Sequence, residues 1–316
     1  MKLLYLLFPT LVSAFKYLPT HLYSKKINNI DNVKIIEPIN IENKKDTPAL
    51  IFFSGLSGNI PNEIYNNFLN YISSSGISCY LFNDDIYKSK SLVDYIYENY
   101  ANVTISGHSS GASKAIKLYS ECNNINNLIL FDPVDDRIFE NNKIKYLYNN
   151  FFDKSKNEIN LNDIKNYLLV KAENSYKWGM FPPKIPFIPV FDINEKVMNI
   201  NDETYIINNI EEESINENNE IVKITKTISK KVNSNKRCIE IKNFGHTDLL
   251  DEYWSNTMRK IIKDSNEDKS FEDINEYHKF NAFLINQVCY NQLNDLKKNI
   301  KNMEEIRNIK FNINNI

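Results

Sequence analysis

Short apolar runs alternate with amphipathic stretches along most of the chain. Residues 49–53 (ALIFF), 77–82 (ISCYLF), 103–105 (VTI), 127–131 (NLILF), 167–171 (YLLVK) and 238–241 (CIEI) have strand length, and the most apolar of them read as parallel strands buried on both faces. Between them, residues 63–73 carry Ile64, Tyr65, Phe68, Leu69 and Ile72 at helical spacing, and residues 92–100 form a second amphipathic helix. This alternation predicts an α/β fold: a mostly parallel, doubly wound sheet with helices on both faces and its sites at the carboxyl ends of the strands. Residues 33–41 contain Pro38 and are expected at a sheet edge. Residues 204–210 and 221–228 alternate apolar and polar positions, which predicts a β-hairpin inside a polar insertion at about 199–236. Residues 274–296 read as a C-terminal helix with Phe280, Phe283, Leu284, Val288 and Leu296 on its apolar side, and the asparagine-rich chain from 297 onward is expected to extend or fray.

The strand at 103–105 runs into Gly107-His108-Ser109-Ser110-Gly111, a G-x-S-x-G pattern, and residues 112–119 continue as a helix. A serine on so tight a strand-to-helix turn takes a strained backbone conformation, so the residues two before and two after it must lack bulk. Ser109 is then lifted clear of the sheet, and the Ser110 N–H, at the helix start, points to where an oxyanion would form. The turn after residues 49–53 is expected to supply the second oxyanion donor, with the Leu56 N–H as candidate.

A serine hydroxyl is a poor nucleophile at neutral pH and needs an imidazole base held by a carboxylate. The chain has four histidines. His21 precedes the sheet, His108 is buried in the elbow and turned away, and His278 lies within a helix. His246 remains, just after Gly245 at the end of the last core strand. For the carboxylate, Asp132 ends the strand after the elbow helix and Glu173 ends the next, with Asp135 and Asp248 behind them; Asp132-Pro133 also suits a turn and Asp248 a helix cap.

Composition narrows the classes. The chain has 316 residues, long enough for one large α/β domain. Its formal net charge of −2 supplies no basic field for nucleic acid. Cys79, Cys122, Cys238 and Cys289 show no C-x-x-C spacing, so zinc is not expected, and buried free thiols are the simpler reading. Residues 1–14 (MKLLYLLFPTLVSA) place one lysine before an apolar run and small residues at the end, the pattern of a secretory signal peptide. Secretion or an endomembrane lumen is the expected location, with the domain at 15–300 and a polar tail at 301–316.

Several stretches together resemble the chlorophyllase family of α/β-hydrolases: Gly107-His108-Ser109-Ser110-Gly111, Leu130-Phe131-Asp132-Pro133-Val134-Asp135, Phe181-Pro182-Pro183 and Gly245-His246-Thr247-Asp248-Leu249-Leu250-Asp251. The resemblance implies an α/β-hydrolase fold and a serine esterase without metal or cofactor, with Ser109 as nucleophile, Asp132 as acid and His246 as base. The family's namesake substrate is the phytyl ester of chlorophyll; related lipid-ester and polyester hydrolases share these motifs. The chain carries Ser110-Gly111-Ala112 where that family has Arg-Gly-Gly. On this reading the partner is an apolar small-molecule ester, with peripheral contact to lipid. The loop at 178–191, with Trp178, Phe181 and Phe187, is expected to line an apolar groove or else to pack over the sheet edge. A catalytically idle hydrolase scaffold and an acyltransferase are the competing classes.

Overall fold

The computed structural model describes residues 18–28, 30–39, 41–55, 60–81, 86–122, 125, 127–133, 166–177, 196–200, 203–215, 221–231, 235–262, 268–301 and 309–315. The strands are β1 (Thr20–Ile27), β2 (Ile30–Pro38), β3 (Pro48–Phe53), β4 (Ser78–Leu81), β5 (Asn102–His108), β6 (Asn127–Phe131), β7 (Asn166–Ala172), β8 (Lys196–Ile200), β9 (Glu203–Ile215), β10 (Ile221–Lys231), β11 (Asn235–Ile241) and β12 (Phe311–Asn315). Among the helices, α1 spans Asn66–Ser74, α2 Ile86–Asn99, α3 Gly111–Glu121, α4 Glu252–Ile262, α5 Phe271–Cys289 and α6 Leu296–Lys301.

Nine strands form one sheet in the order β1-β2-β4-β3-β5-β6-β7-β11-β12. The central run from β4 to β11 is parallel, and β1, β2 and β12 add antiparallel pairs at its two ends. A central parallel run whose described crossovers α1, α2 and α3 are helical, with the tight strand-to-helix turn at Ser109 after the strand at its middle, is the α/β-hydrolase fold.

The buried strands explain the two-sided core. Along β3, Ala49, Ile51 and Phe53 pack with Leu92, Val93 and Ile96 of α2 and Ala112, Ala115 and Ile116 of α3. Leu50 and Phe52 turn to the other face, against Phe68, Leu69 and Ile72 of α1 and Tyr277, Phe280 and Leu284 of α5. A strand apolar at every position therefore satisfies two helical layers at once. Helix α5 starts where Ser270 and Asp273 form a reciprocal capping box.

Two elements depart from the sequence reading, and a third gains a strand. The segment at 33–41 is not an edge: β2 lies between β1 and β4, and Pro38 sits beyond the residues that pair with β4, so its missing N–H costs that ladder nothing. The edge is β1, where Lys25 and Lys26 supply the charge that discourages further strand pairing. At the C-terminus, residues 311–315 do not fray but pair antiparallel with β11, with Phe311 and Ile313 against the core. The predicted hairpin is present as β9 and β10, and β8 joins it to make a separate three-stranded sheet.

Candidate active site

The elbow follows from two glycines and one strained serine. Ser109 has φ 56°, in the left-handed region that residues with a Cβ adopt at a cost of about 1–3 kcal/mol. Its N–H donates to the Phe131 carbonyl (2.9 Å) and its carbonyl accepts from the Ala112 N–H (3.0 Å), which ties the turn to β6 and to α3. A Cβ on Gly107 would stand 2.4 Å from the Gly111 carbonyl oxygen, and one on Gly111 would stand 2.3 Å from that of Ser54. Neither position has room for a side chain, so backbone can meet backbone beneath the serine.

The hydroxyl of Ser109 lies 2.9 Å from His246 Nε2. His246 opens a short 3-10 turn, His246–Leu249, beyond the carboxyl end of β11. On the far side of its ring, Nδ1 stands 4.0 Å from Asp132 Oδ2, beyond hydrogen-bond length, and the pair becomes an ion pair only when the imidazole is protonated. Asp132 has φ 40°, and it is oriented by β7: its N–H donates to the Val170 carbonyl (2.9 Å) and its Oδ1 accepts from the Ala172 N–H (2.8 Å). Ser109, Asp132 and His246 are 9%, 5% and 7% exposed. The structure thus brings the three predicted residues together at one rim of the sheet.

The rival carboxylates have other roles. Glu173 accepts from the Asn243 N–H (3.0 Å) and pairs with Lys242, holding the turn after β11. Asp248 is fully buried and takes the Gly245 N–H (2.8 Å), the Ser255 hydroxyl (2.8 Å) and the Arg259 guanidinium, itself 1% exposed. Ser255 and Arg259 lie one turn apart on α4, so one helix face meets one carboxylate. Asp251 accepts from the Asn67 N–H (2.9 Å) in the first turn of α1, while its own N–H donates to the Ile64 carbonyl (2.7 Å). The Gly-His-x-Asp-x-Leu-Asp run therefore encodes one imidazole and two anchors for the turn that bears it. Asp135 lies outside the described residues.

Burial first, and the adjacent His108 ring second, hold the His246 pKa well below 6.5. A neutral imidazole with Nδ1–H toward Asp132 leaves Nε2 free of a proton to accept one from Ser109. Burial likewise lowers His108 to about 4. His108 is indeed turned from the serine: its Nδ1 bonds the Tyr65 hydroxyl (2.8 Å) and its Nε2 the His246 carbonyl (3.0 Å). The sequence reading missed Tyr65 as a site residue; its helical spacing marked it only as core.

Ser110 is 6% exposed at the start of α3, where helix N–H groups favour negative charge. Gly55 contacts the serine, since a Cβ there would lie 3.4 Å from Ser109 Cβ, and its N–H is already donated to the Tyr65 hydroxyl (3.1 Å). Leu56, the predicted second donor, and Trp178, Phe181 and Phe187 lie outside the described residues. Ligand atoms of His108, Asp132 and His246 fall within 4.8 Å of one another, a cluster of metal-like size. Both ring nitrogens of His108 are engaged in hydrogen bonds within the protein, and an ion would have to displace one of them. All four cysteines are free thiols.

No protein-family model matches the chain, and no curated protein matches it either. Solved structures similar to it in fold include a thermostable esterase from Pseudomonas putida (11% identical, 51% of this chain and 66% of that one, TM-score 0.37). An esterase from the fungus Rhizomucor miehei is similar over 49% of this chain and 65% of its own, at 15% identity and TM-score 0.39. A bacterial heroin esterase is similar over 51% and 68%, at 12% identity and TM-score 0.38. The chain spans just under two thirds of the first two. The fold assignment stands on the strand order and the elbow of this chain.

Proposed function

We propose that the chain is a serine hydrolase of carboxylic esters, with Ser109 as nucleophile, His246 as general base and Asp132 as the carboxylate that orients the base. The single observation that carries this reading is the 2.9 Å contact between Ser109 Oγ and His246 Nε2, made across a strained elbow that two glycines permit.

In the proposed reaction, Ser109 Oγ attacks the ester carbonyl carbon as its proton passes to His246 Nε2. The tetrahedral oxyanion is held by the N–H groups of Ser110 and Leu56, the Gly55 N–H being bound to Tyr65. Loss of one such donor typically costs about 100- to 1000-fold in rate. His246 then protonates the departing alkoxide, so an alcohol leaves and an acyl-serine remains. Water, deprotonated by the same imidazole, attacks the acyl-enzyme and returns Ser109 with release of the acid. The 4.0 Å gap between His246 and Asp132 closes as the imidazolium forms, because the charge then favours the shorter contact.

The substrate class follows from the chlorophyllase resemblance: an apolar ester, of phytyl or other lipid type, taken from or near a lipid phase. Trp178, Phe181 and Phe187 line the groove in this proposal, and the signal-peptide pattern at residues 1–14 directs the chain to a secretory compartment. An ester series from p-nitrophenyl acetate to long acyl chains and chlorophyll, with Ser109→Ala and His246→Ala beside it, tests the proposal. Turnover that rises with chain length and is lost in both variants is expected. Turnover confined to acetate and butyrate removes the lipid and pigment substrates, and turnover surviving in Ser109→Ala removes the mechanism.

A further inference from the structure

One buried hydroxyl joins the turn at Gly55 to His108 and, through that ring, to the backbone of His246. Tyr65, on the short 3-10 turn Asn62–Tyr65 before α1, is 0% exposed, and its ring packs edge-on against Phe52 and His108. Its oxygen receives the Gly55 N–H (3.1 Å) and lies 2.8 Å from His108 Nδ1. His108 in turn lies 3.0 Å from the carbonyl of His246 through Nε2, and its ring sits 4.7 Å from the His246 ring at a tilt of 33°.

Counting hydrogens fixes the direction of this chain. A carbonyl oxygen can only accept, so the contact with His246 places the single hydrogen of the neutral His108 ring on Nε2, which donates it there. Nδ1 is then an acceptor and takes the phenol hydrogen of Tyr65, whose oxygen accepts from Gly55. The opposite tautomer sets two lone pairs against each other at His246. Burial, which keeps His108 uncharged, agrees with this arrangement.

We propose that Tyr65 and His108 are positioning residues of the hydrolase. Together they fix the backbone and ring of His246 against Ser109, and they bind the oxyanion turn at Gly55 into the same hydrogen-bonded chain. The proposal rests on the reading of Ser109 and His246 as nucleophile and base. Neither residue touches substrate; both act through the placement of His246 and of the turn that follows Gly55. Misplacement of a reacting group by about 1 Å costs about 100-fold in rate, chiefly in the chemical step.

The test is steady-state hydrolysis of p-nitrophenyl butyrate by the full chain and by Tyr65→Phe, His108→Leu and His108→Gln, each with a thermal melt. The glutamine amide nitrogen reaches the position of Nε2 and keeps a donor for the His246 carbonyl; leucine fills the space without one. The expected result is a fall in kcat of about 10- to 100-fold for Tyr65→Phe and His108→Leu, with KM within about 3-fold of the wild type. His108→Gln restores at least about 10-fold of the loss. Glutamine and leucine variants that are equally impaired, or a Tyr65→Phe chain with unchanged kcat, overturn the positioning role while leaving the esterase reading intact. Should His108→Leu fail to fold, the comparison of Tyr65→Phe with the wild type decides alone. A wild-type chain that turns over no ester, and whose Ser109 resists a fluorophosphonate, removes both readings.

Discussion

Lowering the pH from 7.5 to 5 is expected to remove a defined part of the folding free energy through buried imidazoles that hold the turn bearing His246. His278 and His108 are 0% and 2% exposed. They lie within hydrogen-bond reach of the carbonyls of Asp248 (3.0 Å) and His246 (3.0 Å) respectively. Burial lowers their pKa values from 6.5 to about 3 and about 4. Each is therefore neutral in the folded chain but takes up a proton near pH 6.5 once unfolded. Protons then favour the unfolded state, so the contribution is complete above pH 6.5 and is lost as pH falls towards the folded values.

At pH 5 the loss is about 2 kcal/mol for each of these two histidines. His246, lowered in the same direction, adds to it. Asp251 opposes it: burial raises its pKa from 3.8 to about 6, so protonation favours the folded state, by about 1 kcal/mol at pH 5 once its partial exposure is discounted. Urea unfolding at pH 7.5, 6 and 5 measures the sum. His278→Gln isolates one term, because the amide keeps a donor for the Asp248 carbonyl and does not titrate. The variant should lose about 2 kcal/mol less than the wild type over this interval. Identical pH dependence in the two chains would refute the assignment of a depressed, buried imidazole to position 278.

Two further outcomes follow from the same turn. Arg259→Met leaves the Asp248 carboxylate buried without its cation and is expected to lower stability by about 3–5 kcal/mol in urea unfolding, while Asp248→Asn added to it recovers part of that loss. In the proposed mechanism the active base is neutral His246, whose pKa lies below 6.5. The acid limb of kcat/KM on p-nitrophenyl butyrate should therefore have its midpoint below pH 6.5, and a midpoint above 7 contradicts the buried, uncharged base.

The parts of the molecule legible in the sequence are those where one physical demand dominates. Residues 49–53 are apolar at every position because both faces of β3 are covered, and Gly107 and Gly111 are glycines because any Cβ would meet backbone. The pairing of Ser109 with His246 is legible because the chain holds only four histidines, and the other three lie before the sheet, inside the elbow and within a helix. What the sequence concealed depends on neighbours distant along the chain. Nothing in the local sequence singles out Asn127 or Asn166 in an asparagine-rich chain, yet the amide of Asn166 donates to Asn127 (2.7 Å), and that of Asn127 donates to Asn102 (3.1 Å), across the amino ends of β5, β6 and β7. β12 carries only two apolar residues in five, and an edge strand needs little more. Tyr65 shows its hydroxyl chemistry only when Gly55 and His108 converge on it.

The central claim is that Ser109 is a nucleophile activated by His246, and covalent capture tests it most directly. The full chain is treated with a fluorophosphonate at pH 7.5 and read by intact mass and peptide mapping. One adduct per chain on the peptide containing Ser109, absent in Ser109→Ala and strongly slowed in His246→Ala, is the predicted result. A folded chain that gains no mass, or gains it at another residue, contradicts the account.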